Sequence, residues 1–591
     1  MTFFVSSHTR AFSLPLSELL DAVSKMEKEG ADSAVRICFL RNVTVEGVEP
    51  FLKFHCLVAG IRPGIIFGNY DMVLQEIMDA NSPLHHNPPD MVVLSLVMEQ
   101  LDPGYHSFGW RADRVISELE SLFDLLADRT NALLMVNTFI PPFDGEFGVT
   151  GHDWSADTFA EITRVNRAVR EYVAAHRSRF MLADWERIAR LHGEDGCMDY
   201  RFWYMSKAPF KKQFLNSYAW DIARIVKALK GKAKKCLVLD CDNTLWGGVV
   251  GEDGLQGIAL DRNSYPGNVF HEFQRTVLTL HERGVLIALC SKNNDEDVWE
   301  VLDRHPHSLL KREHLSAWRI NWNDKATNFR ELAEELNLGM DSFVFVDDNP
   351  TECELVATAL PDVTVMRVPD KLYLYPRLLL KDGLFDTLTV SGEDRQRARM
   401  YQAEAQRKDA ARQYDSIDQY LSSLALVATI HPATPREVAR IAQLTQKTNQ
   451  FNLTTRRYAE GEIARFLSRE DHGVFSLTVT DKFGDSGLTG VLIAVRDGSV
   501  GRIDSLLLSC RILGRNLETV FLHRCLALLE TAWGVKEWRG EYLPTRKNRQ
   551  VEDFFDRMGF DLMVESESGK TYQLPVVQRV APDITYITIE E

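Results

Sequence analysis

Two carboxylates and a hydroxyl follow directly after an apolar run near the middle of the chain. The run Cys236–Leu239 predicts a buried strand, and Asp240, Asp242 and Thr244 come after it. In open α/β sheets, ligands bind at the carboxyl ends of the strands. Two acids this close repel each other unless a cation or a shared proton relieves the repulsion. The pattern therefore indicates a ligand or cation site, and a solvated turn is the alternative because Asp and Asn are common in turns.

Polar residues also stand at the ends of two further predicted strands and at the start of a helix. The apolar runs Leu286–Cys290 and Phe343–Val346 end in such residues, and a lysine precedes an amphipathic helix between them. The candidates in these stretches are Ser291, Asn293, Lys325, Asp347 and Asp348. Taken singly, a serine commonly caps a helix and a lysine commonly lies on the surface. In order and spacing, the four stretches resemble the four motifs of the haloacid dehalogenase-like (HAD) phosphatases.

This resemblance implies a phosphoryl-transfer site that works with Mg²⁺. Asp240 would attack phosphorus, and Asp242 would protonate the leaving oxygen and then activate water. Ser291 and Lys325 would hold the phosphoryl oxygens while charge develops on them. The implied metal ligands are Asp240, Asp242 and Asp347. The implied supporting residues are Thr244, Asn293 and Asp348.

Two stretches are similar to the FkbH-like branch of the HAD superfamily. They are Asp-Cys-Asp-Asn-Thr-Leu-Trp-Gly-Gly-Val-Val-Gly-Glu-Asp-Gly at 240–254 and Thr-Gln-Lys-Thr-Asn-Gln-Phe-Asn-Leu-Thr-Thr-Arg-Arg at 445–457. The resemblance covers the chain from roughly residue 230 to its end, and the long form of the family also has an N-terminal region like this one. It implies a small phosphorylated three-carbon substrate, 1,3-bisphosphoglycerate. Its glyceryl unit would be loaded as a thioester on the phosphopantetheine arm of an acyl carrier protein and dephosphorylated, for polyketide-type biosynthesis.

A thiol between the two acids, Cys241, is a candidate for holding the acyl group in transit. The thiolate is the nucleophilic form, so neighbouring positive charge would have to lower the pKa of this thiol. The flanking carboxylates of Asp240 and Asp242 oppose that change. A loop residue that only lends its backbone N–H is the simpler interpretation.

A second anion-binding pattern stands in the C-terminal region. The predicted strand Arg502–Ser509 is followed by Arg511, Gly514 and Arg515 at the start of an apolar helix. This arrangement directs backbone N–H groups and the helix dipole at an anion. It resembles the pyrophosphate loop of GNAT-type acyltransferases and implies binding of a pantetheine phosphate, although Asn516 stands where the family usually has a small residue. The alternative is a structural helix start with both arginines on the surface.

The stretch at 445–457 also offers many amide and hydroxyl groups. Asn449 and Asn452 are the candidates there for binding the pantetheine or acyl group. They could equally satisfy the backbone of a loop.

The first third of the chain alternates predicted strands with predicted helices. This alternation predicts a parallel sheet with helices on both faces. The candidate strands are Val35–Leu40, Gly64–Phe67, Met91–Leu96, Ala132–Phe139 and Phe180–Asp184. The region is similar to SGNH-hydrolase-like domains, but no Gly-Asp-Ser block follows the first strand. Three asparagines stand at strand ends: Asn42, Asn69 and Asn137. They could bind a small polar group, and the alternative is that they are turn residues. We predict a catalytically degenerate domain that serves docking or orientation.

The predicted fold class is α/β and multidomain. An N-terminal flavodoxin- or SGNH-like parallel sheet precedes a central HAD-like Rossmannoid core with a minimal cap, and a GNAT-like α+β domain follows. The predicted boundaries are a helical lead-in at 1–30, the SGNH-like domain at 31–228, the HAD-like domain at 229–390, a linker helix at 391–421 and the GNAT-like domain at 422–591.

Composition excludes several classes of protein. The chain has 591 residues and a formal net charge of −16, which argues against a nucleic-acid binder. No apolar run reaches the roughly 18 residues that a membrane span needs, and the start of the chain shows no signal-peptide pattern. The nine cysteines include no Cys-x-x-Cys pair. We therefore expect reduced cysteines and a cytoplasmic protein.

Two other functions fit parts of the sequence. A stand-alone phosphatase of a small metabolite, with structural flanking domains, would turn over without any carrier protein. A binding scaffold with a vestigial phosphatase is the third interpretation, and the intact set of acids, serine and lysine argues against it.

Overall fold

The computed structural model describes residues 7–31, 33–105, 107, 109–144, 157–389, 400, 407, 410, 414, 416–545 and 547–590. These residues fall into two compact units, 7–232 and 233–590. No helix in this described part of the chain is both long and apolar enough to cross a membrane.

The first unit is built on a parallel sheet. Its strands are β1 (Ser33–Arg41), β2 (Ile61–Phe67), β3 (Met91–Ser95), β4 (Leu133–Asn137) and β5 (Phe180–Ala183). They lie in the order β2-β1-β3-β4-β5. The predicted strands match these elements to within a few residues, because near-continuous apolar runs are typical of a sheet that is covered on both faces.

Helices cover both faces of this sheet. They are Ser7–Ser13, Leu16–Glu29, Glu49–Val58, Val73–Met78, Pro83–His86, Met98–Leu101, Asp113–Arg129, Thr158–Ala175, Trp185–Cys197, Tyr200–Ser206 and Lys212–Leu229. Successive residues of β1 point into opposite cores: Phe39 into one and Leu40 into the other. The first helix buries Ala11, and the second buries Leu19 and Val23, in the core that contains Phe39. The predicted lead-in is therefore part of this unit and not a separate segment.

The second unit begins with another parallel sheet. Its strands are β6 (Cys236–Leu239), β7 (Leu286–Ser291), β8 (Leu315–Ile320), β9 (Phe343–Asp347) and β10 (Thr364–Arg367). The order β10-β9-β6-β7-β8 places β6 in the middle, between β9 and β7. Leu237 and Leu239 face one core and Cys236 and Val238 face the other, so both faces of β6 are buried.

Six helices lie between these strands or after the last of them in the chain. They are Val250–Gly257, Gly267–Glu282, Asp295–Arg304, Lys325–Glu335, Pro350–Ala359 and Leu378–Lys381. Between β6 and β7 the chain forms only two helices and a single antiparallel bridge, Gly247 to Ala259. The predicted minimal cap agrees with this short insertion.

A mixed sheet forms the C-terminal part of the second unit. Its strands are β11 (Leu426–Pro432), β12 (Phe451–Asn452), β13 (His472–Asp481), β14 (Gly484–Asp497), β15 (Val500–Leu508), β16 (Glu537–Tyr542), β17 (Asp561–Ser566), β18 (Gly569–Pro575) and β19 (Ile587–Glu590). The order is β17-β18-β16-β15-β14-β13-β11-β19, and β12 pairs with β15. The strands β13, β14 and β15 form an antiparallel meander, whereas β15 and β16 are parallel.

Five helices of the described residues accompany the C-terminal sheet: Ile417–Ser423, Val438–Lys447, Glu460–Leu467, Leu517–Trp533 and Phe554–Arg557. The helix Leu517–Trp533 makes the crossover between the parallel strands β15 and β16. Most of the linker helix predicted at 391–421 lies outside the described residues.

Candidate active site

The predicted phosphoryl site comes together at the carboxyl edge of the β6–β10 sheet. Asp240 follows β6, Ser291 ends β7 and Asp347 ends β9, and these strands are neighbours. Lys325 begins the helix Lys325–Glu335, whose N-cap is the Asp324 side chain. The sheet order thus brings together Asp240 and Asp347, which lie more than a hundred positions apart in the sequence.

One ammonium group bridges two carboxylates at the centre of this site. Lys325 Nζ donates to Asp240 Oδ1 at 2.7 Å and to Asp347 Oδ2 at 2.6 Å. All three side chains are buried. Burial alone would lower the pKa of Lys325, but the two carboxylates raise it above its ordinary value. The lysine therefore carries its charge at any physiological pH.

Three carboxylates converge beside this lysine. Oxygens of Asp240, Asp347 and Asp348 lie within 4.8 Å of one another. Burial and the charge of Asp240 raise the pKa of Asp347 to about 6, because one ammonium cannot balance every nearby acid. Burial likewise raises the pKa of Asp348. Excess buried negative charge on hard oxygen donors fits a divalent cation such as Mg²⁺.

The carboxylate of Asp242 lies outside this set, contrary to the ligand set implied by the resemblance. Its Oδ1 accepts from Trp246 Nε1 at 2.8 Å and from the Val250 backbone N–H at 3.0 Å, and its Oδ2 accepts from Asn293 Nδ2 at 2.8 Å. Burial raises the pKa of Asp242, and the charge of Asp240 adds to that effect. A carboxyl that is held in place and keeps its proton more firmly suits proton transfer better than metal ligation.

The other residues of the motif are buried around Asp240. Ser291 is buried at the end of β7 and hydrogen-bonds to the Cys241 thiol. The hydroxyl of Thr244 is buried and has no hydrogen-bond partner among the described residues. Burial, reinforced by the charge of Asp240, raises the pKa of Cys241 well above its usual value. A fully buried, protonated thiol is a poor nucleophile, so the burial of Cys241 favours the simpler interpretation of a loop residue over an acyl-capturing role.

One residue of this site is absent from the sequence-derived set. Tyr375 is fully buried, donates its hydroxyl to the Thr244 carbonyl oxygen at 2.8 Å and stacks on Phe273 with ring centroids 3.9 Å apart. It holds the loop that carries the two acids. No sequence motif marks Tyr375, because it reaches the loop from more than a hundred residues away.

In the loop that is predicted to bind the pantetheine phosphate, the arginine side chains are buried and not exposed to solvent. Gly514 and Asn516 adopt positive φ, and the helix begins at Leu517. Arg515 is buried, donates to the Arg511 carbonyl oxygen at 2.6 Å and lies 3.5 Å from Asp481. The guanidinium of Arg515 therefore has structural contacts inside the protein, and its role toward a pantetheine phosphate stays a prediction. Arg511 is also buried, so neither arginine lies on the surface.

The two asparagines of the 445–457 stretch have different environments. Asn452 is fully buried, where it donates to the Thr448 carbonyl oxygen and accepts from the Thr455 N–H at 2.8 Å. These contacts satisfy the backbone of the loop, which is the alternative to acyl binding that the sequence leaves open. Asn449 accepts a hydrogen bond from Arg457 and also lines a cavity of about 270 Å³.

The strand-end asparagines of the first unit all have hydrogen-bond partners within that unit. Asn42 and Asn137 exchange hydrogen bonds with the backbone of Val97 and Leu96, respectively, and Asn69 donates to Glu76. They therefore fix loops and do not present free polar groups, as the turn-residue interpretation predicts. Leu96 and Val97 line a cavity of about 350 Å³.

Comparison with known proteins identifies the central part of the chain. Residues 235–361 match the family model of NLI interacting factor-like phosphatases. The N-terminal part of a Bacteroides fragilis protein, solved as a phosphatase-domain structure complexed with Mg, is 26% identical with a TM-score of 0.58. That match covers 64% of this chain and 100% of the other. The chain therefore contains an α/β phosphatase domain and is an enzyme.

Acetyltransferase structures match over smaller parts of the chain. An N-acetyltransferase from Thermoplasma acidophilum in complex with coenzyme A is 14% identical, with a TM-score of 0.20, and covers 25% of this chain and 98% of its own. The ribosomal-protein-S18-alanine N-acetyltransferase from Escherichia coli is 15% identical, with a TM-score of 0.20, over 27% of this chain and 99% of its own. No curated protein matches the chain.

Proposed function

We propose that the chain hydrolyses a phosphoryl group through Asp240, with Mg²⁺ as its metal. The observation that carries this proposal is the buried group of Lys325, Asp240 and Asp347, with Asp348 beside it. Lys325 engages Asp240 through Oδ1, so the other carboxylate oxygen remains for attack on phosphorus. Asp240, Asp347 and Asp348 would hold the metal, which supplies charge neutralisation for the incoming phosphate.

Asp242 serves as the proton donor and then the base in this proposal. Its three hydrogen bonds fix the carboxyl, and its raised pKa keeps it protonated to a higher pH than a free aspartate. It would protonate the leaving oxygen and then take a proton from the attacking water. Lys325 and the buried hydroxyl of Ser291 would bind the phosphoryl oxygens.

The substrate proposed is 1,3-bisphosphoglycerate, with transfer of its glyceryl unit to the phosphopantetheine arm of an acyl carrier protein. Support comes from the resemblance of 240–254 and 445–457 to FkbH-like proteins. The short segment between β6 and β7 also leaves no separate cap domain over Asp240, which suits a substrate presented on a protein arm.

A stand-alone phosphatase is the second candidate, and two observations favour it. The described phosphoryl-site residues all lie between Asp240 and Tyr375, with no contribution from the C-terminal sheet. The side chains of Arg515 and Asn452, predicted to bind the carrier arm, are occupied by structural contacts.

Intact-protein mass spectrometry separates the two candidates. The enzyme, Mg²⁺ and 1,3-bisphosphoglycerate are incubated with and without a phosphopantetheinylated carrier protein. Carrier loading predicts a glyceryl-sized mass gain on the carrier that is lost with Asp240→Asn. Phosphate release without a mass gain on any carrier contradicts loading and supports the stand-alone phosphatase.

A further inference from the structure

A cavity of about 350 Å³ lies in the first unit, at the carboxyl edge of its parallel sheet. We call it the aromatic cavity. It is lined by residues that follow β3 and β4, and by side chains from the helices Met98–Leu101, Trp185–Cys197 and Tyr200–Ser206. Ligands bind at this edge of open α/β sheets, and the volume lies in the range of small-molecule sites. The aromatic cavity is therefore a candidate ligand site, separate from the phosphoryl site of the second unit.

Aromatic side chains form much of the wall of this cavity. They include Trp185, Tyr200, Trp203 and Phe210. The face of an aromatic ring carries partial negative charge, so it attracts cations as well as apolar groups. Trp203 shows this attraction in the structure, because Lys207 Nζ lies 4.2 Å from the centroid of its ring. The wall therefore suits a ligand that combines an apolar body with a positive charge.

Three carboxylates, and no basic side chain, belong to the described lining residues. They are Glu99, Asp144 and Glu194, and no lysine, arginine or histidine in the described part of the chain forms an ion pair with any of them. All three act on one phenol: the Tyr200 hydroxyl donates to Glu194 at 2.6 Å. Burial, this hydrogen bond and the charges of Asp144 and Glu99 together raise the pKa of Tyr200. A cavity lined by one sign of charge concentrates ions of the opposite sign, so these acids favour a cation.

The spacing of these carboxylates argues against a metal ion as that cation. Among the described residues, three acidic ligand atoms come within 4.8 Å of one another at the phosphoryl site alone. The three acids of the aromatic cavity are therefore too far apart to ligate one metal ion together. A cation that meets all of them has to be larger than a bare ion, and the aromatic wall favours one that carries apolar groups. An ammonium group on an apolar body has both properties.

We propose that the aromatic cavity binds an organic ammonium ion with an apolar body. The charged nitrogen lies among the three carboxylates and over the Tyr200 ring, and the apolar body packs against Trp203 and Phe210. The bound cation balances negative charge that the described lining residues leave unbalanced. This site lies within the first unit, so its ligand is independent of the phosphorylated substrate that the second unit uses.

Ligand-observed NMR titration of the full chain tests this proposal, with Mg²⁺ present to compete for the carboxylates around Asp240. The cationic probes are 2-phenylethylammonium and benzyltrimethylammonium, and the matched neutral and anionic probes are 2-phenylethanol and phenylacetate. We expect saturable binding of at least one cationic probe, about fivefold or more tighter than binding of the alcohol or the acid. Absence of saturable binding by both cations overturns the proposal. Comparable or tighter binding of the alcohol or the acid also overturns it.

Variants of the carboxylates locate the bound probe. Glu99→Gln and Glu194→Gln should each weaken binding of the cationic probe by about fivefold, because each removes one attractive charge. Binding of 2-phenylethanol should be the same in both variants as in the wild type, which a general distortion of the cavity would not allow. Glu18→Gln, at an exposed position of helix Leu16–Glu29, is the matched control and should leave the affinity unchanged. Unchanged affinity in both cavity variants, or an equal loss in Glu18→Gln, overturns the proposal.

Tyr200→Ala and Tyr200→Phe separate the ring of Tyr200 from its hydroxyl group. Loss of the ring should weaken binding of the cationic probe by about tenfold, because it removes a cation–π contact. Tyr200→Phe keeps the ring and should therefore retain binding, although it loses the hydrogen bond to Glu194. Tyr200 is 46% exposed, so both variants should melt at the wild-type temperature. Equal loss of binding in the two variants, or full binding by Tyr200→Ala, contradicts the proposal.

Discussion

At the scale of single residues, the charge of Lys325 balances the buried carboxylates of the phosphatase site when no metal is bound. It compensates Asp240 and Asp347, and all three side chains are buried. Lys325→Met leaves two buried carboxylates facing each other, so we expect the free energy of unfolding to fall by about 3 kcal/mol. Urea denaturation in EDTA near pH 7.5 measures this loss.

Lys292→Met is the control for that experiment. Lys292 also pairs with a carboxylate, Glu352, at 2.7 Å, but the lysine side chain is 35% exposed. Its loss should cost less than about 1 kcal/mol. Equal losses in the two variants would mean that the buried bridge does not stabilise the site.

The affinity of the site for Mg²⁺ should depend on pH. Asp347 has its pKa raised to about 6, so below that pH its carboxyl holds a proton that a metal must displace. We expect Mg²⁺ to bind about tenfold more weakly near pH 5 than near pH 7. Calorimetric titration at the two pH values measures the change, and equal affinities would show that Asp347 is not a ligand.

For single residues, the sequence predicts the positions of the charged site residues better than it predicts their hydrogen-bond partners. Asp240, Asp347 and Lys325 meet because each stands at the start or end of an element whose apolar pattern is easy to identify. The contacts of Asp242 and the position of Tyr375 depend on packing between distant segments. Arg515 shows the opposite case, because its local pattern suggests an exposed anion site while the folded chain buries its side chain against the Arg511 carbonyl oxygen and Asp481.

Among the elements, the start of helix Gly267–Glu282 packs closely against the backbone of the segment that precedes it. A Cβ on Gly267 would lie 2.4 Å from the Asp261 backbone nitrogen. Backbone cannot move aside cheaply, so Gly267→Ala should destabilise the protein by about 1–3 kcal/mol. The midpoint of thermal or urea unfolding measures the effect.

Gly251→Ala is the matched control in the neighbouring helix Val250–Gly257. A Cβ there would meet no atom closer than 3.9 Å. Alanine in an open helical position should leave stability unchanged or raise it by up to about 1 kcal/mol. Similar effects at both positions would contradict the assigned contact with Asp261.

The elements themselves follow closely from the sequence. Both parallel sheets have strands buried on both faces, and such strands read as short continuous apolar runs. The C-terminal sheet is harder to derive, because β12 has only two residues and pairs with β15 from far along the chain.

For the whole molecule, the two units should be separable. Each buried hydrophobic cluster of the described residues lies entirely within 7–232 or entirely within 233–590. We therefore expect a fragment of residues 233–591 to fold and to release phosphate at an unchanged rate. Circular dichroism and a phosphate-release assay check this, and an inactive but folded fragment would mean that the first unit contributes to the phosphoryl site.

The most direct test of the central claim is detection of a phosphoryl group on Asp240. With acetyl phosphate the leaving carboxylate needs no proton, so Asp242→Asn should still phosphorylate Asp240 but should hydrolyse the product slowly. Acid-quenched intact-protein mass spectrometry with Mg²⁺ should therefore show a phosphoryl-sized mass gain in Asp242→Asn. The gain should map to the peptide that contains Asp240 and disappear when Asp240→Asn is added. A gain that persists without Asp240, or phosphate release by Asp240→Asn at the wild-type rate, would contradict the account.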